Sequence, residues 1–443
     1  MANRIFLVED FVYRVEVEGR QPSEDEIRRV GELLGQPTRK LDVVLGRYSQ
    51  VFAKQIERRC SSIGSRSICI YSWRVGAPFR PFPAAMHAFG TIILFEGERP
   101  SKVLAYPFSK PLSYAKSPGL SEEEYRDKVP REVTARVDGW QITAYYNPVL
   151  GRWSLATRHA LHNMYFARGR LVEEPLDSVA NPYVAIANAI AERDGLYERL
   201  RGYEGWTFTF VLEGPEPAIT RPPYPIGAEP GEYGLYLLMA RDPEGRLLTW
   251  SEAQRLLGYR GPPQIEPRPL GELYGEVRRR LDVRSYFALL DVGDPEEPLI
   301  AELESELYPD AMNVKHLYDA KSAALLASEG AAAELARMLP EDIAARVRRL
   351  EEAYVALEGL LAQMARGRGA QAAARWLVEV LEAAGVRGLH VGEALKALGE
   401  GNARRVARKA LALLLEGKSL ATDEPVEAAK KLVEVLREGE AAG

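Results

Sequence analysis

The stretch VTARVDGWQITAYYNP, residues 133–148, reads as a short strand-like run with a turn-like kink inside it. Its flanks, Val133–Ala135 and Trp140–Tyr146, are rich in β-branched and aromatic side chains, which suit an extended, half-buried chain. Between them stands Arg136-Val137-Asp138-Gly139. An Asp-Gly pair favours a turn-like kink within such a strand. The same short-strand texture extends outward in SICIYSW (67–73), GTIILFEGE (90–98), KVLAYPF (102–108), RWSLATR (152–158), WTFTFVLEG (206–214) and YFALLDV (286–292). RDPEGR (241–246) is a hairpin signal inside 233–250. Helical patterns intervene, as in 181–202, without a regular βαβα alternation. The fold class expected is α+β, dominated by antiparallel sheet.

The two ends differ from this centre. RIFLVEDFVYRVEVEG (4–19) carries a short strand pattern, and PSEDEIRRVGELLG (22–35) a helix with Ser23 as N-cap and Glu26 completing a capping box. Beyond about residue 320 the strand signals stop. Five amphipathic segments follow, at 338–366, 369–385, 391–401, 402–417 and 423–439, with Asn, Asp or Pro near their starts and Gly near most of their ends. The expected division is therefore a mixed domain over 1–320, with 1–60 as an N-terminal extension, and an α-helical domain over 321–443.

The chain has 443 residues, 46% hydrophobic and 27% charged, with a net charge of −5. No overall basic field recruits nucleic acid, so any such surface must be local. No run approaches the length needed to span a bilayer, and the N-terminus lacks a signal-peptide pattern. A cytoplasmic protein without membrane attachment is expected. The abundance of Arg, Glu, Ala and Leu with loop prolines suits a thermophile. Cys60 and Cys69 read first as two buried thiols and alternatively as a disulfide. The five histidines show no metal-ligand spacing.

Taken in order, 87–114, 133–158, 206–219, 233–253 and 296–323 resemble the motif series of the bacteriophage-type RNA ligase 1 family, among the ATP-dependent covalent nucleotidyltransferases. The helical tail resembles that family's C-terminal domain. The resemblance implies a nucleotidyltransferase domain that carries AMP on a lysine, passes it to a 5′-phosphate RNA end and then joins a 3′-hydroxyl, using ATP and Mg2+. Arg136 stands where the lysine belongs, followed by Asp138 and Gly139 of the same motif. A guanidinium does not lose its proton and cannot be that nucleophile, although it can fork onto a phosphate. The carboxylate of the third motif is replaced by Val211, with Glu213 two residues on as a partial substitute or as the start of a turn. The fourth motif's metal-binding glutamate matches Glu297, followed by Pro298. Of the fifth motif's two lysines, Lys315 remains and Asn313 replaces the other. Lys110 and Arg158 occupy basic positions, and His159 stands where a glycine often follows.

This implies an RNA ligase-like protein that binds single-stranded RNA ends, ATP or both while impaired in lysyl-AMP formation: a pseudoenzyme that works with a protein partner or a second copy. The alternative is an active RNA ligase using another lysine (Lys110, Lys128 or Lys315) or pre-adenylylated ends. Two stretches suit RNA by chemistry. RSICIYSWRVGAPFRPFP (66–83) interleaves arginines with aromatics, or else packs those aromatics inward. Arg404, Arg405, Arg408 and Lys409 share the polar side of one helix, as a solvated face or an RNA-facing patch.

Overall fold

The computed structural model describes residues 3–116, 120–161, 164–167, 170–173, 182–214, 233–294 and 297–441. It divides into two compact units. Of the described residues, the first contains those through Val277 and, after an interruption, Ser285–Glu304; the second contains Arg278–Arg284 and those from Ser305 onward. The junction expected near residue 320 thus compares with a change of unit at Glu304/Ser305.

The first unit holds fifteen described strands: β1 (Ile56–Ile63), β2 (Arg66–Trp73), β3 (Phe89–Glu96), β4 (Arg99–Ala105), β5 (Leu112–Ser113), β6 (Glu132–Ala135), β7 (Trp140–Asn147), β8 (Arg152–Thr157), β9 (Met164–Ala167), β10 (Arg170–Glu173), β11 (Thr207–Glu213), β12 (Gly234–Arg241), β13 (Gln264–Ile265), β14 (Ser285–Asp294) and β15 (Glu297–Glu304). They form sheets ordered β1-β2-β3-β4, β9-β10, β12-β11-β7-β8 and β13-β6-β14-β15-β5, antiparallel except for the β15–β5 pair. This is the expected α+β class.

The opening stretch is where the chain changes sheets. β6 lies in the five-stranded sheet and β7 in a four-stranded one, so residues 136–139 cross between them. Glycine is required there by approach. A Cβ on Gly139 would sit 2.0 Å from the Leu212 carbonyl oxygen of β11. An apolar cluster fills the space at the crossing, with Val211, Leu238 and Met239 from one sheet and Phe287, Leu289 and Ile300 from the other. Phe89, Phe108 and Val137 join it.

Residues 4–16, read as strand, are helix. Asn3 caps it by accepting from the Ile5 and Phe6 amides at 3.0 and 3.2 Å. Ile5, Val8, Phe11 and Val12 then fall on one buried face, a spacing that sheet alternation does not bury. This helix and two others, Glu24–Leu33 and Leu41–Lys54, share a core with β1–β3 residues, including Cys69 and Tyr71. Ser23 and Glu26 make the expected capping box. Cys60 and Cys69 lie opposite each other on β1 and β2 and are joined as a disulfide; the reading as two buried thiols is corrected, since strand register brings the pair together and Cys60 is exposed.

In the second unit all five expected helices are present: Glu341–Gly367, Ala370–Ala383, Val391–Gly399, Ala403–Leu414 and Glu424–Ala441. Three shorter ones, Tyr308–Leu317, Ala320–Ser328 and Ala332–Ala336, precede them. One continuous apolar core runs through this bundle. No helix among the described residues is long and apolar enough to cross a membrane.

Candidate phosphate-binding site

Arg136 directly follows β6. Its backbone amide donates to the Ser285 carbonyl of β14 at 2.9 Å, which fixes the start of the crossing. Its guanidinium lies 5.6 Å over the Phe287 ring and is ion-paired with the Glu302 carboxylate of β15. Ser285 Oγ donates to the same carboxylate at 2.9 Å. Register explains the meeting: Glu302 faces Phe287 across the β14–β15 ladder, and Phe287 faces Thr134 of β6.

Two further cations feel this group. The pKa of Lys110 is lowered first by burial, then by the positive charges of Arg158 and Arg136, with Glu302 opposing. Its ammonium sits 4.7 Å over the Phe79 ring. Arg158 follows β8 and lies 4.6 Å over Phe89. Burial and the neighbouring charge of Arg136 lower its pKa, though a guanidinium remains charged at any working pH. Its Nε donates to His159 Nε2 at 3.0 Å. Burial, followed by the charge of Arg158, pulls His159 down to about 4 and keeps it neutral. The aromatic faces stabilise these cations in a partly dry place by cation–π attraction. Lys110, Arg136 and Arg158 thus feel one another's charge, with Glu302 paired to Arg136 and Glu302 and Glu304 acting on Lys110.

Asp138 and Gly139 lie on the crossing itself, Asp138 half-buried. Glu213 is half-buried at the end of β11. Val211 is buried in the apolar cluster, so that position serves packing.

Glu297 has a different setting. Both its oxygens are bound by Arg241, at 2.9 and 3.0 Å. Tyr106 Oη donates to it at 2.9 Å, and Ser109 Oγ also bonds it. Arg241 is only 2% exposed; it also donates to the carbonyls of Tyr106, Pro107 and Gly245 and stacks 3.6 Å from the Tyr106 ring centroid. His87 completes the chain: Nδ1 accepts the Arg4 amide at 3.0 Å, which leaves Nε2–H to donate to Tyr106 Oη at 2.9 Å. Burial lowers His87 to about 3. Burial alone would raise Glu297, but Arg241, the other charges and the hydrogen bonds outweigh it and hold the carboxyl low. A carboxylate with a bidentate arginine on it does not fit a divalent cation. Among the described residues no group of three His, Cys, Asp or Glu side chains suits one either. A cavity of about 270 Å3 lies beside this chain, lined by Arg4, Met86, His87, Lys110 and Tyr125 among others.

Lys315 belongs to the second unit, on the helix Tyr308–Leu317. It is 5% exposed, and burial lowers its pKa to about 8. Asn313, on the same helix, donates to Ser322 Oγ at 3.3 Å. On the helix Ala403–Leu414, Arg404 and Arg408 both pair with Glu329, and Lys409 pairs with Glu393. The polar face is thus partly neutralised within the unit. In the 66–83 stretch, Trp73 packs on Phe79 and Phe82 at 5.0 and 6.2 Å, and Tyr71 is buried with its hydroxyl on Glu9. These aromatics pack inward on one another.

Sequence reading missed Glu302, Ser285, Arg241 and Glu329. The one available signal was in EPLIAELE (297–304), where Glu302 and Glu304 alternate with apolar residues in a strand-like run.

No protein-family description and no curated protein matches the chain. Among solved structures, an archaeal ATP-dependent RNA ligase (form 1) overlaps with a TM-score of 0.37 at 17% identity, over 66% of this chain and 68% of that one. A second form gives 0.37 and 17%, over 68% of each chain. A Naegleria gruberi RNA ligase mutant with ATP and Mn gives 0.30 and 12%, over 58% of this chain and 97% of that one. Overlaps this shallow carry no argument about activity; they record which solved folds this chain is similar to.

Proposed function

We propose that the first unit is an RNA ligase-like nucleotidyltransferase scaffold of the RNA ligase 1 type. It binds the phosphates of ATP or of a single-stranded RNA end at Lys110, Arg136 and Arg158 without forming lysyl-AMP. The observation that carries this reading is the seat of Arg136: at the sheet crossing, stacked on Phe287 and held by Glu302. A charged guanidinium with a neutralising partner is a phosphate ligand and not a nucleophile. Such a pseudoenzyme works in the cytoplasm, in concert with a protein partner or a second copy, and its nucleic-acid face includes Arg404, Arg405, Arg408 and Lys409. ATP, if bound, is held by the cations; Glu297 is committed to Arg241.

The test is incubation of purified protein with α-labelled ATP and Mg2+, read on a denaturing gel beside an equilibrium-binding measurement. The expected outcome is retained nucleotide without a covalent adduct, with binding weakened by Arg136→Ala. A stoichiometric AMP adduct defeats the reading.

A second reading has one observation in its favour. Lys110 is a site lysine whose pKa is lowered by burial and neighbouring cations, the shift an amine nucleophile needs. An AMP adduct mapped to Lys110 and abolished by Lys110→Arg would establish an unconventional ligase.

A further inference from the structure

Cys60 and Cys69 are joined across two strands that are already paired. Every residue of β1 from Ile56 to Ile63 has a partner on β2, and Cys69 is paired on its other side with Ile93 of β3. The cysteines are nine positions apart. A bond across so short a loop removes little entropy from the unfolded chain, and the ladder sets the register without it. The two sulfurs differ in access. Cys69 is 0% exposed, in the core shared with the N-terminal helices. Cys60 is exposed on β1, an edge strand of its sheet. Arg58, two residues earlier, faces the same side of β1, and its Nε donates to Cys60 Sγ at 3.3 Å. The guanidinium lies 4.6 Å over the Phe95 ring, and its Nη1 is 3.5 Å from Glu9 Oε2. Glu9 is 5% exposed and also accepts from the Tyr71 and Tyr48 hydroxyls. A held positive charge thus stands beside the accessible sulfur of a bond whose strands keep their register without it.

We propose that Cys60–Cys69 is a thiol–disulfide exchange site for a small thiol, in which Cys60 is the sulfur attacked, Cys69 the resolving cysteine and Arg58 the positioning residue that steadies the Cys60 thiolate. In the first step a thiolate R–S⁻ attacks Cys60 Sγ. The bond to Cys69 breaks and its electron pair passes to Cys69 Sγ. That sulfur takes up a proton and becomes a buried neutral thiol, the form its apolar surroundings favour. Cys60 then carries R as a mixed disulfide. In the return direction Cys69, deprotonated, attacks Cys60 and expels R–S⁻. In the forward direction a second R–S⁻ attacks the sulfur of R, forms R–S–S–R and expels Cys60 as a thiolate. Two electrons pass from the two small thiols to the protein; of their two protons, one ends on Cys69 and the other in water. A cation beside a cysteine lowers its pKa and makes it a better leaving group, and Arg58 is already in place for that role. Reduction also sets a second anion on the guanidinium that pairs with Glu9, so the redox state reaches the helix Arg4–Glu16 through one residue.

The experiment uses the full chain in mixtures of reduced and oxidised glutathione, quenched by alkylation and mapped by mass spectrometry, with circular dichroism and a melting curve on the same samples. Wild type is expected to pass reversibly between disulfide and dithiol while keeping its circular dichroism signal, with glutathione on Cys60 and not on Cys69. The pH of half-maximal alkylation of reduced Cys60 is read in parallel; beside Arg58, the ionisable groups at this place are Glu9, Tyr48 and Tyr71. Arg58→Gln is expected to raise that pH by about one unit or more and to slow the release of Cys60 from glutathione about threefold or more. Arg58→Lys is expected to restore most of both. If Arg58→Gln does not fold because Glu9 loses its cation, the double variant Glu9→Gln, Arg58→Gln is compared with Glu9→Gln alone and must show the same two shifts. A disulfide that glutathione reduces only in denaturant overturns the proposal, as does reduction that abolishes the fold, which makes the bond structural. Glutathione mapped to Cys69 overturns the assigned direction of attack. An alkylation pH and an exchange rate unmoved by loss of Arg58 overturn the role of the arginine.

Discussion

The first unit contains two arginine–glutamate pairs anchored on β15, and they behave as opposites. Arg241–Glu297 is sealed: the arginine is 2% exposed, every Glu297 oxygen is engaged, and Tyr106, His87 and Ser109 extend the network. Arg136–Glu302 is open: the arginine keeps 27% of its surface, and its near neighbours include two further cations. Both glutamates are held at 11% exposure, so burial of the carboxylate does not distinguish them. What differs is the arginine. A guanidinium with carbonyls on several donors cannot leave its glutamate without stranding charge in the interior. One with a single carboxylate partner and an open edge can accept a phosphate. Glu297, a candidate metal ligand by sequence, sits in the sealed pair.

The contrast is broken or sharpened by measurements of decreasing size. The largest concerns acid. His87 titrates near 3 in the folded protein and near 6.5 when unfolded. The unfolded chain therefore binds the extra proton first as pH falls. Stability conferred by neutral His87 is complete above about pH 6.5 and is lost as pH falls toward 3, up to about 4 to 5 kcal/mol. Urea unfolding across this range should show the loss, and His87→Gln should flatten it; an unchanged profile means the sealed network tolerates a charged imidazole.

Next comes Arg241→Ala, which strands the Glu297 charge and should cost about 3–5 kcal/mol in chemical denaturation. A loss below about 1 kcal/mol would show that water reaches Glu297 and that the two pairs are alike after all. The smallest effect on stability belongs to the open pair. Glu302→Gln should change unfolding free energy by no more than about 1 kcal/mol while tightening nucleotide binding, because Arg136 is released. A large destabilisation without a change in binding would make Arg136–Glu302 a second structural clamp.

Much of the architecture was legible in the strand-rich centre and the helical tail, because binary patterns report which faces are buried. The N-terminal helix was not: RIFLVEDFVYRVEVEG fits alternation nearly as well as a 3.6-residue period, and the Asn3 cap together with a core partner decides it. The disulfide also depended on partnership, since nothing local says that Cys60 and Cys69 lie opposite each other on adjacent strands.

By itself the sequence determined that position 136 is a guanidinium, whose basicity in any environment rules out nucleophilic attack, and that position 211 is an alkyl group with no oxygen to offer. These are properties of the residues. Only the tertiary structure decided that Arg136 faces Glu302 rather than Glu297, that Glu297 belongs to Arg241, and that Arg404 and Arg408 converge on Glu329. Those pairings span 166, 56, 75 and 79 positions of chain. They are set by strand register, sheet order and helix packing, which arise from burying the whole apolar core at once and are written in no local stretch.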